Sequence, residues 1–467
     1  MYVEQIYTGC LSQATYYIES EGEAAIIDPL RDYQPYVDMA KKRGAKIKYV
    51  FETHFHADFV SGHIDLAKAT GATIVYGPTA QTEYEVYVAK DGEKFKLGKV
   101  EFEVLHTPGH TPESSCFLLS DEKGKHHSLY SGDTLFIGDV GRPDLLDGVM
   151  TSEQLAGMMY DSLRNKIMPL EDDIIVYPAH GAGSACGKNL SDERFQTLGN
   201  QKENNYALQD MSKDEFIKIL TDGIAPPPQY FFKDAKINKT GYPKIEDVVG
   251  LGTKGLSVEE FEAERANGTL VLDTRTPDEF EMGFVPGAMN IGLNGQFAVW
   301  AGTLLDVHQP LILVTAPGAE EEAAVRLARV GFDNILGYLK GDITAWKEAG
   351  KQIDMVISID TEELDLDSKH SPNSEILDVR KQSEFDELHI EGAEFLTLQD
   401  LPAKAPGMDK NKEYLVHCAG GYRSMIAASI LKANGMMRVK NVYGGFGRIK
   451  NETTLKLIPT KKVKVKS

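Results

Sequence analysis

Strand-like and helix-like segments alternate along the first 200 residues of the chain. The run Ile47–Glu52 is rich in β-branched and aromatic side chains and ends in polar residues, a pattern that predicts a buried strand opening into a loop. Four strand-like segments end near a histidine or an aspartate, at His54, His110, Asp133 and His180. Loops at one edge of a sheet system would bring these four side chains together.

An internal repeat follows beyond about residue 250. Residues 272–288 match residues 377–393, and each copy starts with a helix-start signal, Ser257-x-x-Glu260 in one and Asp360-x-x-Glu363 in the other. Two related α/β domains therefore follow the first domain. We expect domains at residues 1–250, 255–353 and 354–467.

Size and composition agree with this division. At roughly 150 residues per domain, a chain of 467 residues holds about three domains. No apolar run approaches the roughly 20 residues that span a bilayer, and a net charge of -20 argues against a nucleic-acid partner. The N-terminal sequence lacks a secretory signal, and the four cysteines form no Cys-x-x-Cys pair. We expect a soluble, cytoplasmic protein with reduced thiols and no membrane partner.

The first candidate site is a metal-binding stretch in which His54, His56 and Asp58 lie two apart. Zinc hydrolases built on such a motif hold two ions, and the second ion needs a histidine directly after the aspartate. Phe59 stands at that position here and cannot coordinate a metal. Two imidazoles and one carboxylate would leave open positions on a single ion, as in non-haem Fe(II) oxygenases.

The second candidate site is the loop His417–Ser424. An apolar strand delivers Cys418 into a glycine-containing loop that leads to a helix. Backbone N–H groups, the helix N-terminus and Arg423 would stabilise a thiolate there and then the terminal sulfur of a cysteine persulfide. The first copy of the repeat has Ala316 and Glu321 instead of this cysteine and arginine, so we expect it to be structural.

The motifs around the first site resemble, in chain order, the ligand loops of the metallo-β-lactamase superfamily, and within it those of the persulfide dioxygenases. These motifs are Thr53–Asp58, Thr107–Thr111, Gly132–Ile137 and Tyr177–His180. The resemblance covers most of residues 1–190 and implies an αββα sandwich.

The same resemblance implies one Fe(II) per chain, held by His54, His110 and Asp133. Residues that bind metal in dizinc relatives would here orient the iron ligands through hydrogen bonds. These residues are His56, Asp58 and His180.

Two further residues lie near the expected metal site. Arg142 matches an arginine of the family and could attract a substrate carboxylate or the oxidised sulfur product, or else form an ion pair. Cys186 belongs to a glycine-rich loop after His180 and could receive or pass sulfur, or else be a small buried thiol.

The repeat resembles the rhodanese family of sulfurtransferases over most of residues 255–460. The resemblance makes Cys418 the persulfide carrier, with Arg423 and the backbone of residues 419–422 as its cradle. Cys-based phosphatases share a related loop, but the duplicated flanking pattern favours a sulfurtransferase. We expect Asp378 and Arg380 to anchor the loop region.

The whole chain thus resembles a fusion of a persulfide dioxygenase with an inactive and then an active rhodanese domain. This implies oxidation of a thiol persulfide by O2 to sulfite, followed by conversion of sulfite and sulfane sulfur to thiosulfate in sulfide detoxification. We also expect a homo-oligomer. One alternative is a thioester hydrolase of the glyoxalase II type, against which Phe59 counts. Another treats the rhodanese pair as a binding scaffold.

Overall fold

The strand-like runs of the first 200 residues pair into two six-stranded sheets. The structure, a computed structural model, describes residues 1–145, 150–188, 190–371 and 373–460. The first sheet has the order β1-β2-β3-β4-β5-β6, and its strands are Tyr2–Thr8, Gln13–Ser20, Glu23–Ile27, Lys46–Glu52, Thr73–Tyr76 and Tyr87–Val88. The second has the order β12-β11-β10-β9-β8-β7, and its strands, from β7 to β12, are Lys94–Leu97, Val100–His106, Ser115–Ser120, His126–Gly132, Ile175–Pro178 and Gln196–Thr197.

Helices pack on the outer faces of both sheets. The helices up to residue 252 are Gln34–Arg43 (α1), His63–Thr70 (α2), Ser152–Ser162 (α3), Leu198–Asn204 (α4), Lys213–Thr221 (α5), Phe231–Thr240 (α6) and Ile245–Gly252 (α7), with a π-helical turn at Leu163–Ile167 and a 3-10 turn at Tyr206–Leu208. Tyr36 and Leu66 pack α1 and α2 on the first sheet, whereas Met159 and Phe216 pack α3 and α5 on the second.

The two sheets bury a common aromatic layer between them. Phe51 from β4 contacts Phe102 from β8 and Phe117 from β9, with ring centroids 5.0 and 4.7 Å away. Removing such rings from water is the main favourable contribution to packing the sheets face to face. The result is the αββα sandwich that the resemblance to the metallo-β-lactamase superfamily implies.

The repeat forms two parallel sheets of the same topology. The first has the order β13-β17-β16-β14-β15 and the second β18-β23-β22-β19-β21, while β20 and β24 pair separately. The strands from β13 to β24 are Gly255–Leu256, Leu270–Asp273, Met289–Asn290, Leu311–Val314, Ile335–Leu339, Ile357–Ile359, Ser374–Asp378, His389–Ile390, Glu394–Phe395, Glu413–His417, Val439–Val442 and Leu457–Ile458. The predicted pair of related α/β domains is confirmed.

Capping boxes begin the first helix of each copy. Ser257 caps one and Asp360 caps the other, each with the glutamate three residues on, as the sequence predicts. The helices α8 to α17 are Val258–Ala266, Pro277–Glu281, Phe297–Leu304, Glu320–Ala328, Asp342–Glu348, Thr361–His370, Gln382–Glu387, Leu401–Lys404, Tyr422–Ala433 and Gly445–Glu452, with a 3-10 turn at Ala405–Gly407.

A buried ion pair recurs at the same place in both copies. Arg275 Nε and Nη2 donate to the carboxylate of Asp273 at 2.9 and 2.5 Å, and Arg380 repeats this geometry on Asp378 at 2.9 and 2.6 Å. Because each aspartate ends an interior strand, the pair fixes the loop that follows.

The chain divides into two compact units. The first contains residues 1–247 together with 325–333, and the second contains residues 248–324 and those from 334 onward. Among the described residues, no helix has the length and apolar character that crossing a bilayer requires.

Candidate functional site

Three ligand-type side chains meet where strands of both sheets of the sandwich end. His54 follows β4, His110 follows β8 and Asp133 follows β10. Asp133 Oδ2 lies 3.7 Å from His54 Nε2 and 3.5 Å from His110 Nε2, and the two rings stand at 89° to each other. All three side chains are buried. The structure therefore brings together the three residues that we predict as ligands.

The unpaired atoms of this cluster fit a metal ion. His54 Nε2 and Asp133 Oδ2 are buried and have no hydrogen-bond partner among the described residues. Such atoms are costly to bury unless something satisfies them. A cation between the ligand atoms, which lie within 4.8 Å of one another, would do so, and two imidazoles with one carboxylate suit a transition metal.

The far side of each ligand imidazole is fixed by a hydrogen bond. His54 Nδ1 lies 2.9 Å from Thr53 Oγ1, which itself donates to Asp28 Oδ2, so the imidazole donates to the hydroxyl. His110 Nδ1 donates to the backbone carbonyl of Arg142 at 2.8 Å. Because both protons sit on Nδ1, both Nε2 lone pairs point toward the shared position, as metal ligation requires.

Close approach of two loops makes this geometry possible. Gly132, directly before Asp133, has φ 53°, and a Cβ on it would lie 2.6 Å from the side chain of Thr53. Only glycine accommodates both this backbone conformation and this contact.

His180 connects two acidic residues at the rim of the cluster. Its Nδ1 is hydrogen-bonded to Asp133 Oδ1 at 2.7 Å, and its Nε2 lies 2.8 Å from Asp58 Oδ2. Burial opposes a charged ring, but Asp133 and Asp58 raise the pKa of His180 well above its usual value. Burial likewise opposes ionisation of Asp133, yet the neighbouring histidines hold its pKa well below the usual range. His180 is thus placed to orient Asp133.

His56 packs between His54 and Phe59, with ring centroids 4.1 and 4.3 Å away, and its Nε2 lies 3.1 Å from Asp28 Oδ1. Ligand atoms of His56, Asp58 and His180 lie within 4.8 Å of one another. Phe59 is fully buried, with its centroid 6.5 Å from that of His180. An apolar ring therefore lies beside the residues that would hold a second ion.

Asn238 on α6 supports the metal-binding loop and was not predicted. Its Nδ2 donates to the carbonyls of His56 and Phe59, both at 2.8 Å, and its Oδ1 accepts from the amide of Ser61 at 2.9 Å. An isolated asparagine in a polar helix gives no sequence signal. Asp28, by contrast, directly follows β3, just as Asp133 directly follows β10, so a search for acidic residues after strands could have found it.

Arg142 holds the neighbouring loop in place. Its guanidinium donates to both oxygens of Asp144 at 2.6 and 2.7 Å and to the carbonyls of Ala185 and Ala225. Its amide donates to the carbonyl of Cys186, while its own carbonyl accepts from His110. Arg142 thus forms an ion pair, which is the alternative to anion binding that the sequence leaves open. Its backbone also connects the candidate ligand His110 to the glycine-rich loop that contains Cys186.

Cys186 lies at the metal cluster. It is buried, and its sulfur lies within 4.8 Å of ligand atoms of Asp133 and His180. Burial raises the pKa of this thiol well above its usual value, with Asp58 and Asp133 adding to the effect. The thiol therefore lies beside the candidate metal ligands.

In the last domain, Cys418 lies between β22 and α16. The amide of Gly421, which has φ 107°, donates to Cys418 Sγ at 3.1 Å. Arg423 forms a two-point ion pair with Glu384 at 2.6 and 2.8 Å. The loop thus has the predicted backbone donor, and Glu384 fixes the predicted arginine. In the first copy, Ala316 lies between β16 and α11 and provides no thiol.

We predict that Asn238→Ala destabilises the metal-binding loop. The substitution leaves buried backbone groups without hydrogen-bond partners, which costs about 1–3 kcal/mol of stability for each group. Thermal unfolding should therefore begin at a lower temperature, and the amount of bound metal should fall. Metal analysis and a thermal scan measure both effects. Asn204→Ala, which removes one exposed bond to Asn200, is the control. Wild-type metal content and melting in Asn238→Ala would contradict the prediction.

Comparison with known families agrees with this geometry. The metallo-beta-lactamase superfamily model matches residues 8–180, and the rhodanese-like domain model matches residues 257–349 and 361–452.

Individual proteins and solved structures are also similar to this chain. The persulfide dioxygenase ETHE1, mitochondrial, of Homo sapiens is 30% identical over 209 residues, which cover 44% of this chain and 74% of that protein. A hydroxyacylglutathione hydrolase of Francisella tularensis subsp. novicida is 34% identical over 167 residues, which cover 35% and 61%. A crystal structure of a metallo-beta-lactamase from Staphylococcus aureus subsp. aureus COL matches with 34% identity and a TM-score of 0.66, over 72% of this chain and 98% of that one. The chain therefore belongs to the metallo-beta-lactamase superfamily, in a form in which a domain homologous to persulfide dioxygenases is followed by two rhodanese-like domains.

Proposed function

We propose that the first domain is an Fe(II) persulfide dioxygenase and that the last domain is a sulfurtransferase acting on its product. A low-molecular-weight persulfide RSSH, O2 and water would give RSH, hydrogen sulfite and a proton. A second RSSH and the hydrogen sulfite would then give RSH, thiosulfate and a proton. We further propose that these two reactions remove sulfide-derived sulfur in the cytoplasm, and that the protein is a homo-oligomer.

The observation that carries the proposal is the presence of a three-ligand cluster beside a phenylalanine. His54, His110 and Asp133 can bind one ion and leave other positions of that ion to the reactants. Phe59 removes a nitrogen ligand from the place where a second ion would bind. A single ion with open positions suits oxygen chemistry better than hydrolysis by a pair of ions.

The residues of the chain would position the reactants. Fe(II), when bound, supplies the redox chemistry that couples O2 to oxidation of the terminal sulfur. The hydrogen bonds of His54, His110 and Asp133 to Thr53, Arg142 and His180 keep the ligand atoms aimed at one point. We propose that Cys186 borders the bound persulfide, while Arg142 acts by holding the Cys186 loop against His110.

The sulfurtransferase step is supported by the surroundings of Cys418. Its thiolate would attack the sulfane sulfur of RSSH, so that the S–S bond of RSSH breaks, RSH leaves and a cysteine persulfide forms. Sulfite would then attack the outer sulfur, forming thiosulfate and regenerating the thiolate. The Gly421 amide and the start of α16 would stabilise the negative sulfur in both states.

A thioester hydrolase is the second candidate. The similarity to hydroxyacylglutathione hydrolases and the retention of Asp58 and His180 favour it, because both residues could still serve a second ion. Metal content and oxygen use separate the two candidates.

We expect protein purified without added metal to contain about one iron per chain and to consume O2 with glutathione persulfide. Because His110 is one of only three proposed ligands, His110→Ala should lose the iron and the oxygen uptake together. Elemental analysis and an oxygen electrode test this. A zinc protein that consumes no O2 and hydrolyses lactoylglutathione would support the hydrolase instead.

We expect Phe59→His to raise metal binding toward two ions per chain, because an imidazole would then join Asp58 and His180. Persulfide-dependent O2 uptake should fall at least tenfold as the open positions are lost. Phe59→Leu, which adds no ligand, is the matched control and should keep the wild-type metal content. Equal stoichiometry in both variants would mean that Phe59 does not limit the site to one ion.

We expect Cys418→Ser to keep wild-type O2 uptake while sulfite accumulates in place of thiosulfate. The reason is that the hydroxyl cannot carry sulfane sulfur, whereas the metal cluster is unaltered. Chromatographic assay of both anions against an enzyme-free blank measures this, with Cys10→Ser as the control. Thiosulfate formation at the wild-type rate in Cys418→Ser would exclude the proposed carrier.

A further inference from the structure

The first copy of the repeat, which lacks the cysteine, contacts the sulfur-carrying loop of the second copy. Tyr422, the first residue of α16, donates its hydroxyl proton to the carbonyl of Gly292 at 2.7 Å. Gly292, Gly295 and Tyr422 all lie in the second unit. The contact joins residues 130 positions apart in the chain, so no local sequence pattern indicates it.

The ring of Tyr422 is held as closely as its hydroxyl. A Cβ added to Gly295 would lie 2.4 Å from Cζ and 2.6 Å from Cε2 of the ring. Glycine at this position therefore lets the first copy approach the tyrosine face, and any larger residue would displace the ring.

The loop that receives Tyr422 is rigidly attached to its own domain. Asn290 Nδ2 donates to the carbonyls of Asp273 and Arg275, both at 3.0 Å. The amide of Leu293 donates to the carbonyl of Thr274 at 3.0 Å. Asp273 and Arg275 form the buried ion pair that the two copies share, so the loop at Gly292–Gly295 is a fixed surface.

Tyr422 directly follows Gly421, whose amide donates to Cys418 Sγ, and directly precedes Arg423, which is paired with Glu384. A side chain anchored outside the domain at this position restrains the peptide groups on both sides of it. We propose that Tyr422 is a positioning residue, and that the first rhodanese-like domain serves to hold it so that the Gly421 amide stays aimed at the sulfur of Cys418.

This assignment explains why a copy without a nucleophile would be kept. The proposed role needs the Gly292 carbonyl, which accepts from Tyr422, and the absence of a side chain at Gly295, which leaves room for the ring. Neither feature depends on which residue stands at position 316. The proposal rests on the role of Cys418 as a sulfur carrier, but its physical content, the orientation of one amide toward one thiol, can be measured without sulfur transfer.

The test uses two variants of the contact in the full-length protein. Tyr422→Phe removes only the hydroxyl, and Gly295→Ala displaces the ring while keeping the hydroxyl. Peptide-resolved alkylation of Cys418 by iodoacetamide, followed from about pH 5 to 10, reports how well the thiolate is stabilised. We expect the midpoint of the rate profile to move to higher pH in both variants. Thiosulfate formation should fall about tenfold in kcat with KM nearly unchanged, because one oriented charge-stabilising donor is lost.

Two matched controls separate positioning from simple attachment of the domains. Tyr414→Phe removes a tyrosine-to-carbonyl bond of the same kind, to Asp409, elsewhere in the last domain. Ser429→Ala removes another bond between α16 and the first copy, in which Ser429 Oγ accepts from the amide of Asn290 at 3.0 Å. Both controls should keep the wild-type alkylation profile of Cys418, and all four variants should keep wild-type O2 uptake.

Each result decides the proposal. An unchanged alkylation profile in Tyr422→Phe overturns it, as does an equal shift in Ser429→Ala, which would mean that the contact only attaches the two domains. If Cys418→Ser still made thiosulfate, the proposed sulfurtransferase would fail, whereas the alkylation profiles would still decide the role of Tyr422. Since Tyr422→Phe changes no volume in the core, its result stands even where Gly295→Ala impairs folding.

Discussion

The buried carboxylate of Asp133 is the constraint on which the metal-binding domain depends. A carboxylate removed from water is tolerated only when charges or hydrogen-bond donors surround it. Here Oδ1 is paired with His180, whereas Oδ2 has no hydrogen-bond partner among the described residues and faces Nε2 of His54 and of His110, where a cation would satisfy it. The three histidines follow different strands, so the site forms only when those strands are packed together.

Support for the site extends well beyond the ligand motifs. Asn238 on α6 holds the backbone of the loop that contains His56 and Phe59, although α6 comes after the matched superfamily region. Residues 325–333 also belong to the first unit, where the carbonyl of Arg329 accepts from the amide of Val60 at 2.7 Å. The metal-binding domain is therefore completed by segments that lie far along the chain.

The two rhodanese-like domains show that fold and chemistry depend on different residues. Both copies keep the buried aspartate–arginine pair and the same strand order. Only the second keeps a cysteine between its central strand and the following helix. The first copy forms the same ion pair although alanine stands at position 316.

The sequence by itself determined the duplicated α/β domains and the residues that gather at the two sites. These follow from signals along the chain: an internal repeat, a strand-like run that ends near His54 or Asp133, and an apolar strand that leads into the loop of Cys418. The αββα sandwich was implied by the resemblance of the ligand motifs to the metallo-β-lactamase superfamily. Only the tertiary structure decided how the remaining partners pair. The bonds of Arg142 to Ala225, of Asn238 to His56 and of Tyr422 to Gly292 join residues 83, 182 and 130 positions apart. Such hydrogen bonds form only where the folded backbone brings a donor and an acceptor together. The order of residue types along the chain shows no pattern from which that placement could be predicted.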